Sequence, residues 1–597
     1  MSRPRSTQEL IHWLEMGEGA RWIRLIGALL GVAVISLLVA WKQFHGVTSE
    51  AALVQADVGR QLALGHGFST TVNYPQTAAF LNHRGSSFDS RHSYPELHQA
   101  PLYSIVIALS LRLLPAPWRD ALFARVPIPP DGFAADYFLL GINLVLLWLT
   151  AWVTFDLSRR LFDAPVGWIA ALAFLLSVGV WQQTVIVNGS PLLMLLAVTA
   201  FWIWTKADEA ARTGGVRAFG WFAGVGATCG LLFLAEYSAG ALGLVALGDA
   251  ATRFRGASRW KATMLVAAGF LVITAPWVIR NVTLTGQPAG LAVQNIALKS
   301  GDPTAEPVEQ RRMYSSELPG IDLNKLANKT LTRVQESVKA QIWSGGAMWF
   351  AGFFAAGWLY RFRSPVADRL RWLFTLGLAV EILSQAVFNS GESERLAAAW
   401  LAPLIIVFGA GFLVVLLTSN AVLSQWPRWV IAGVLFVQGV PLLHDALEPR
   451  RLHFQYPPYF PSLFMGMRQD LQRRDTLHRF GVMADVPAGA AWYGQQRVWA
   501  QPLRLRDFYA VNLEQPIGQL LLTPRTLDRP FFSELAARPI EPDALGRATN
   551  VFGEWGQIYA GLLTGRLPVE FPLTAPQKLA ENLYVLLNPA LPPPPGK

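Results

Sequence analysis

The residues best suited to chemistry lie in one polar segment, Lys42 to Leu114, which follows the first apolar run of the chain. It contains two carboxylates, Glu50 and Asp57, a glycine-rich turn, and a stretch rich in histidine from His83 to His98. Carboxylates and imidazoles are side chains that commonly transfer protons in enzymes. Because these polar groups are held beside a membrane face, ahead of many apolar runs, they suggest chemistry on a lipid-linked substrate.

The composition places most of this chain in a bilayer. Hydrophobic residues make up 52% and charged residues 15% of its 597 residues, and the mean hydropathy is +0.31. A soluble domain needs a more charged surface. The net charge of +10 does not indicate nucleic-acid binding, since the basic residues lie in short loops between apolar runs and follow the positive-inside pattern. The single cysteine, Cys229, excludes an intrachain disulfide.

The apolar runs predict about eleven membrane spans and an external C-terminus. The short run Leu102 to Leu114 contains Arg112 and stops at Pro115, so we interpret it as interfacial. With that choice the arginine clusters of the loops all fall on the cytoplasmic side, together with the N-terminus. The predicted spans are 25–41, 137–155, 166–184, 191–206, 218–235, 237–251, 262–279, 341–360, 370–388, 396–417 and 428–446.

The sequence predicts a mainly α membrane domain, residues 1–447, followed by a small external α/β domain, residues 448–597. The membrane domain carries two large external loops, 42–136 and 280–340. Strands are expected at 481–486, 519–523 and 584–587, and helices at 462–474 and 531–537, because short apolar runs alternate with helical patterns. The proline-rich tail from Pro589 is expected to be disordered.

Four stretches of the chain carry a resemblance to the polytopic GT-C glycosyltransferases, in particular the bacterial relatives of protein O-mannosyltransferases and aminoarabinose transferases. They are Gly65–Ser69 (GHGFS), His98–Tyr103 (HQAPLY), Pro276–Asn281 (PWVIRN) with Gly286–Pro288 (GQP), and Val482–Pro487 (VMADVP) with Ala491–Gly494 (AWYG). The resemblance implies a sugar donor attached to polyprenyl phosphate and transfer, with inversion, on the external face. One carboxylate would take the proton from an acceptor hydroxyl, and arginines would hold the phosphate.

The resemblance places the catalytic carboxylate shortly after the first span, where Glu50 is the nearest acid and Asp57 follows seven residues later. If residues 50–64 are helical, the two share one face. Many family members carry a second external acid where this chain has Asn188; Glu236 could compensate. The predicted donor- or acceptor-binding residues are Arg60, His66, His98, Tyr103, Asn188, Glu236, Arg280, Asn281, Glu394 and Arg395.

No cofactor and no metal site are assigned. His83, Asp89, His92, Glu96 and His98 are metal ligands by type but lack the spacing of known zinc motifs, so a divalent metal stays an open alternative. The leading hypothesis is transfer of a sugar from a polyprenyl-phosphate carrier to an external lipid, glycan or protein hydroxyl. The partners would be membrane lipid and that donor, at a bacterial inner membrane, and the external domain would be periplasmic.

Two rival functions remain open from the sequence. A non-catalytic GT-C-like protein that binds polyprenyl lipid or scaffolds an envelope assembly would explain the missing second acid. A transporter should carry paired intramembrane charges or broken helices, and Glu381 is almost the only candidate charge.

Overall fold

The computed structural model describes most of the chain. The described residues are 18–85, 93–124, 132–214, 216–298, 310–341, 349–388, 397–420, 423–448, 461–527 and 554–593. The predicted helix at 531–537 lies outside them, as do Glu394, Arg395, Asp89 and His92.

Helices dominate the described residues. Up to residue 285 they are α1 (Glu18–Gln43), α2 (Glu50–Leu64), α3 (Pro75–His83), α4 (Leu102–Leu113), α5 (Ala116–Ala124), α6 (Ala134–Leu161), α7 (Ala164–Leu175), α8 (Val178–Val185), α9 (Ser190–Arg212), α10 (Arg217–Ala235), α11 (Leu242–Arg253) and α12 (Ala257–Thr285). The later helices are α13 (Leu323–Glu336), α14 (Trp349–Ala356), α15 (Pro365–Phe388), α16 (Ala397–Trp400), α17 (Ala402–Ser419), α18 (Pro427–Leu447), α19 (Pro461–Arg474), α20 (Pro487–Gly494), α21 (Leu505–Glu514) and α22 (Glu554–Thr564).

Seven of the described helices, α6, α9, α10, α12, α15, α17 and α18, are long and apolar enough to cross a membrane. The pair α7 and α8 forms an eighth crossing if it is one span bent by 53°. At that bend the Trp181 indole donates to the Leu175 carbonyl over 2.7 Å, which satisfies one backbone group that the break releases. These helices make the chain an integral membrane protein of the predicted mainly α class.

The other expected spans differ in detail. The first falls within α1, a 26-residue helix whose part Leu29–Gln43 is apolar but too short to count among the seven. In place of one helix over 237–251 there is a 3₁₀ turn, Tyr237–Ala241, followed by α11, which is only 12 residues long. The expected span 341–360 lies partly outside the described residues. Helix α4, the run interpreted as interfacial, has 12 residues and is too short to cross the bilayer.

Basic loops from three parts of the chain meet at one end of the bundle. Arg212 and Arg253 pair with Asp208 at 2.6 and 3.1 Å, and Arg369 pairs with Asp249. These arginines belong to the clusters predicted to share one side of the membrane. Their convergence shows that they do share one side of this protein.

A six-stranded sheet forms the centre of the C-terminal region. Its strands are β2 (Val72–Asn73), β4 (Gly481–Ala484), β5 (Val498–Ala500), β6 (Ile517–Leu522), β7 (Ala575–Ala580) and β8 (Leu583–Leu587); β1 (Ser69–Thr70) and β3 (Tyr94–Pro95) make a separate pair. The order is β2-β5-β4-β6-β8-β7, parallel from β2 to β6 and antiparallel at β8 and β7. Since β2 comes from the first polar loop, that loop and the C-terminal region share one sheet.

Candidate functional site

The parallel strands of the sheet end together at one edge. Asn73 ends β2, whereas Gln501, Asp485 and Thr523 follow directly after β5, β4 and β6. Ligands of open α/β sheets characteristically bind outside the carboxyl ends of the parallel strands. This edge, the strand-end edge, is therefore the candidate site.

Asp485 anchors the loop that follows β6. Its Oδ2 accepts hydrogen bonds from the Thr523 amide at 2.8 Å, the Thr523 hydroxyl at 2.7 Å and the Thr526 hydroxyl at 2.8 Å. Burial raises the pKa of this carboxyl, and the bonds from Thr523 and Thr526 oppose that effect. The loop thereby brings Arg525 to the strand-end edge.

Glu50 lies at the same edge between two arginines. It is in the first turn of α2, which Ser49 caps by accepting a hydrogen bond from the Ala52 amide. Its carboxylate oxygens lie 3.6 Å from Arg312 Nη2 and 3.4 Å from Arg525 Nη1, and its side chain is 11% exposed. A carboxylate of the first polar loop is thus held against the C-terminal sheet.

Arg312 makes this connection rigid. It is buried, and it donates to the carbonyls of Asp485 at 2.8 Å and Gln501 at 3.1 Å. Arg312 therefore links two strand ends to Glu50, whereas Arg525, with 28% of its side chain exposed, is the more accessible cation.

Aromatic and imidazole groups border the edge on the side of the first loop. Tyr74 follows β2 directly, and its ring centroid lies 6.0 Å from that of His98 and 5.8 Å from the Arg311 guanidinium. His98 Nε2 lies 3.2 Å from the Thr77 hydroxyl. Burial, and secondly the charge of Arg311, lower the pKa of His98 well below its ordinary value, so the ring is neutral. Burial and then the charge of Glu50 raise the pKa of Tyr74.

Glu96 is a structural acid of the first loop. Its side chain accepts hydrogen bonds from the amides of His98 at 2.6 Å and Gln99 at 3.0 Å. Burial raises its pKa, while Arg311 and these bonds work in the opposite direction. Glu96 therefore shapes the backbone that presents His98.

Buried polar atoms without partners gather at the strand-end edge. Within the described residues, the side chains of Asn73 and Gln501 use neither their amide nitrogen nor their oxygen in a hydrogen bond, and Asp485 Oδ1 and His98 Nδ1 also lack one. All four side chains are at least 96% buried. Leaving a buried donor or acceptor unpaired costs roughly 1–3 kcal/mol. Such a concentration is typical of a place built to bind a polar ligand or ordered water.

Asp57, the second predicted carboxylate, is fully occupied by structural contacts. Oδ1 pairs with Arg60 at 2.6 Å, and Oδ2 accepts from the Thr71 amide at 2.6 Å and from the hydroxyls of Thr70 and Thr71 at 3.0 and 2.9 Å. The side chain is 0% exposed. Asp57 thus holds the chain after the glycine-rich turn against α2.

Arg60 joins α2 to the C-terminal region. Besides Asp57 it binds the carbonyls of Trp492 and Ala491, each at 3.1 Å, and its guanidinium lies over the rings of Trp492 and Phe123. The AWYG motif therefore supplies the contact that receives Arg60.

Arg280 and Asn281 organise the two loops around the motif PWVIRN. Arg280 donates to the carbonyls of Phe68 and Glu96, both at 3.1 Å, and its guanidinium lies 4.5 Å from the Trp277 ring. Asn281 donates to the Pro288 carbonyl at 3.2 Å, which closes the GQP turn. Both side chains thus position backbone rather than extend into solvent.

Tyr103 and Asn188 also serve the packing of the first loop. The Tyr103 hydroxyl donates to Asn143 at 2.9 Å, and its ring lies so close to Gly189 that a Cβ there would sit 2.9 Å from it. Asn188 accepts from the Ser190 amide at 3.1 Å, just before the first turn of α9.

The remaining predicted residues are not gathered at the strand-end edge. His66 is exposed and bonds Gln61 at 2.7 Å, and Glu236 ends α10 beside the 3₁₀ turn. Glu394 and Arg395 lie outside the described residues. Among the described residues, no group of three or more histidine, cysteine, aspartate or glutamate side chains is arranged to hold a metal ion.

The site residues missed in the sequence are Asn73, Arg312, Arg525 and Gln501. Arg525 and Gln501 each come shortly after a strand of the parallel sheet, so a correct sheet topology would have drawn attention to both. For Arg312 the sequence offers no such signal, because it reaches the edge from a loop that belongs to neither strand nor helix.

No protein-family model and no curated protein match this sequence. Solved structures do. The apo Archaeoglobus fulgidus oligosaccharyltransferase is 11% identical with a TM-score of 0.50, covering 83% of this chain and 70% of that one. The same enzyme in complex with zinc and sulfate is 13% identical with a TM-score of 0.49, and the match covers 82% of this chain and 67% of that one. ArnT from Cupriavidus metallidurans in the apo state is 12% identical with a TM-score of 0.38, and the match covers 96% of this chain and 99% of that one. This chain therefore has a fold similar to that of the Archaeoglobus fulgidus oligosaccharyltransferase.

Proposed function

We propose that this protein is a membrane glycosyltransferase that moves a sugar from a polyprenyl-phosphate carrier to a hydroxyl acceptor with inversion. The observation that carries the proposal is Glu50, a carboxylate between Arg312 and Arg525 at a strand-end edge lined by unpaired buried amides. The acceptor would be an external lipid, glycan or protein, and the membrane a bacterial inner membrane with the C-terminal sheet on the periplasmic side. The shared oligosaccharyltransferase fold supports a sugar-transfer role.

In the proposed reaction Glu50 takes the proton of the acceptor hydroxyl while the oxygen attacks the anomeric carbon from the side opposite the phosphate. The bond between that carbon and the phosphate oxygen breaks, and the electron pair leaves with the polyprenyl phosphate. Because a phosphate is a good leaving group, no strong general acid is required. Arg525, the more exposed of the two cations, is assigned to the phosphate, where its planar fork can bind two oxygens.

The unpaired amides are assigned to the sugar. Asn73 and Gln501 each offer a donor pair and an acceptor, the combination that hydroxyl groups of a sugar ring can satisfy. Arg280 is assigned a positioning role, since its guanidinium holds the carbonyls of Phe68 and Glu96 in place. Asp57 likewise positions the loop and leaves proton transfer to Glu50.

Glu50→Gln tests this assignment. It keeps the shape of the side chain but removes its basicity, so the rate of sugar transfer should fall about 10²–10⁴-fold while binding of the polyprenyl-phosphate sugar changes little. The measurement is transfer of a labelled sugar in proteoliposomes, together with donor binding to the same preparation. Glu336→Gln, which changes an exposed carboxylate of α13 that pairs with Arg333, is the matched control.

Retained transfer in a correctly folded Glu50→Gln protein would refute the assignment of Glu50 as the base. Absence of transfer by the parent protein would instead favour the rival function, a non-catalytic lipid-binding protein. Thermal unfolding of the variant, followed by tryptophan fluorescence, separates loss of chemistry from loss of the contacts to Arg312 and Arg525.

A further inference from the structure

A cavity of about 440 Å³ lies beside helices α2, α4, α5 and α19, away from the strand-end edge. Arg60, at the far end of α2 from Glu50, lines it. Ten residues of α-helix separate these two side chains, which is about 15 Å along the axis. The cavity is therefore a second candidate binding place with its own surroundings.

The walls of this cavity are basic. Arg60, Arg119 and Arg468 line it, and Asp120 is its one acidic lining residue among those described. Asp120 is 71% exposed and lies 3.5 Å from Arg119, and Asp57 is already paired with Arg60 at 2.6 Å. No ion pair of Arg468 is seen among the described residues; burial and then the charge of Arg60 lower its pKa. An anion in the cavity would relieve this repulsion.

The backbone near the cavity does not oppose an anion. The C-terminal carbonyls of a helix carry partial negative charge. At the end of α2 the carbonyl of Leu62 accepts from Arg112 at 2.7 Å, and that of Ala63 accepts from the same guanidinium at 3.4 Å. These groups are thus covered by a cation of α4.

Apolar surface adjoins the basic walls. On α4 and α5 the side chains of Leu109, Leu113 and Trp118 are 57%, 86% and 68% exposed. Helix α4 is apolar yet too short to cross a bilayer, and Trp is enriched where protein meets the headgroup region. A ligand in the cavity would therefore have its charged group against arginines and its neighbouring chains beside an apolar helix pair.

We propose that this cavity binds the phosphate headgroup of an anionic phospholipid, with its acyl chains along α4 and α5. Arg468 and Arg119 would contact the phosphate, and Arg60 would supply charge while it keeps its contacts to Asp57 and Trp492. The site would fasten the first loop and α19 to the membrane surface. The proposal does not depend on sugar transfer, since none of its residues belongs to the strand-end edge.

The test is a lipid titration of the purified full chain by native mass spectrometry. The parent protein should bind phosphatidylglycerol more tightly than phosphatidylcholine with the same acyl chains. Arg468→Gln should weaken phosphatidylglycerol binding about tenfold, the value of one charge-assisted contact, and should reduce the preference for phosphatidylglycerol over phosphatidylcholine. The matched control is Arg473→Gln, which removes an exposed arginine of the same helix that does not line the cavity.

Three results would overturn the proposal. Equal binding of the two lipids by the parent would remove the headgroup preference. Equal losses in Arg468→Gln and Arg473→Gln would show diffuse attraction to surface charge. If inorganic phosphate displaced bound phosphatidylglycerol at a similar concentration, the cavity would be a site for free phosphate instead of a lipid.

Discussion

Asp57→Asn should destabilise the protein strongly, because the carboxylate is the centre of a buried network. The substitution keeps the shape of the side chain but replaces one acceptor oxygen with an NH₂ group. All the observed partners, Arg60, the Thr71 amide and the hydroxyls of Thr70 and Thr71, donate to the present carboxylate. The new NH₂ would face donors, and Arg60 would lose its counter-charge at a fully buried position.

The expected cost follows from these contacts. Removing one partner of a buried ion pair typically costs about 3–5 kcal/mol, and each hydrogen bond to a charged group is worth about 1.5–3 kcal/mol. Because these contacts share one carboxylate, their energies do not add. We therefore expect Asp57→Asn to lower the free energy of unfolding by about 3–5 kcal/mol. Asp120→Asn, whose exposed carboxylate lies 3.5 Å from Arg119, should cost no more than about 1 kcal/mol.

The assay is unfolding in detergent, followed by tryptophan fluorescence. Trp492, whose ring centroid lies 5.4 Å from the Arg60 guanidinium, is one of the 23 tryptophans that contribute to this signal of global unfolding. The double variant Asp57→Asn/Arg60→Met should be more stable than the sum of the single variants predicts, since it leaves no uncompensated charge. An Asp57→Asn protein as stable as the parent but inactive in transfer would refute the structural role and return Asp57 to the position of candidate base.

Two further predictions concern the first loop. The lowered pKa of His98, caused by burial and Arg311, means that the unfolded chain binds a proton more readily; stability should therefore fall as the pH decreases from about 6.5 towards the lower folded value. His98→Gln should flatten that dependence in unfolding measurements between about pH 6.5 and 5, and an unchanged profile would contradict the reasoning. Gly189→Ala should destabilise by about 1–3 kcal/mol, because φ is +77° and the new Cβ would lie 2.9 Å from the Tyr103 ring. The same unfolding assay measures it, with Gly214→Ala, also at positive φ but with open space around it, as the control for backbone strain alone.

Much of the architecture was predictable because it depends on local pattern. Long apolar runs require helices in a bilayer, and α6, α9 and α12 lie where those runs predict spans. The limits of helix α2 also follow local pattern, since Ser49 lies just before it and Gly65, at φ +91°, lies just after it. The strands at 481–484, 517–522 and 583–587 also lie close to the predicted runs.

The assembly of the candidate site was not predictable from such patterns. Glu50 and Asp57 lie on one helix and have the same chemistry, yet only the contacts with Thr71 and Arg60 show that Asp57 is occupied. Arg280 appears in the sequence as a phosphate ligand, but the fold directs it to the carbonyls of Phe68 and Glu96.

Local pattern was enough to predict the mainly α class of the protein and the segments that carry polar chemistry, because hydrophobicity and backbone preference act over a few residues. Which polar groups meet depends instead on the folded chain. Arg60 reaches Trp492 across 432 positions in the chain, and β2 pairs with β5 across a similar separation. Such contacts depend on which surfaces bury one another when the whole chain folds, and no spacing within one segment encodes them.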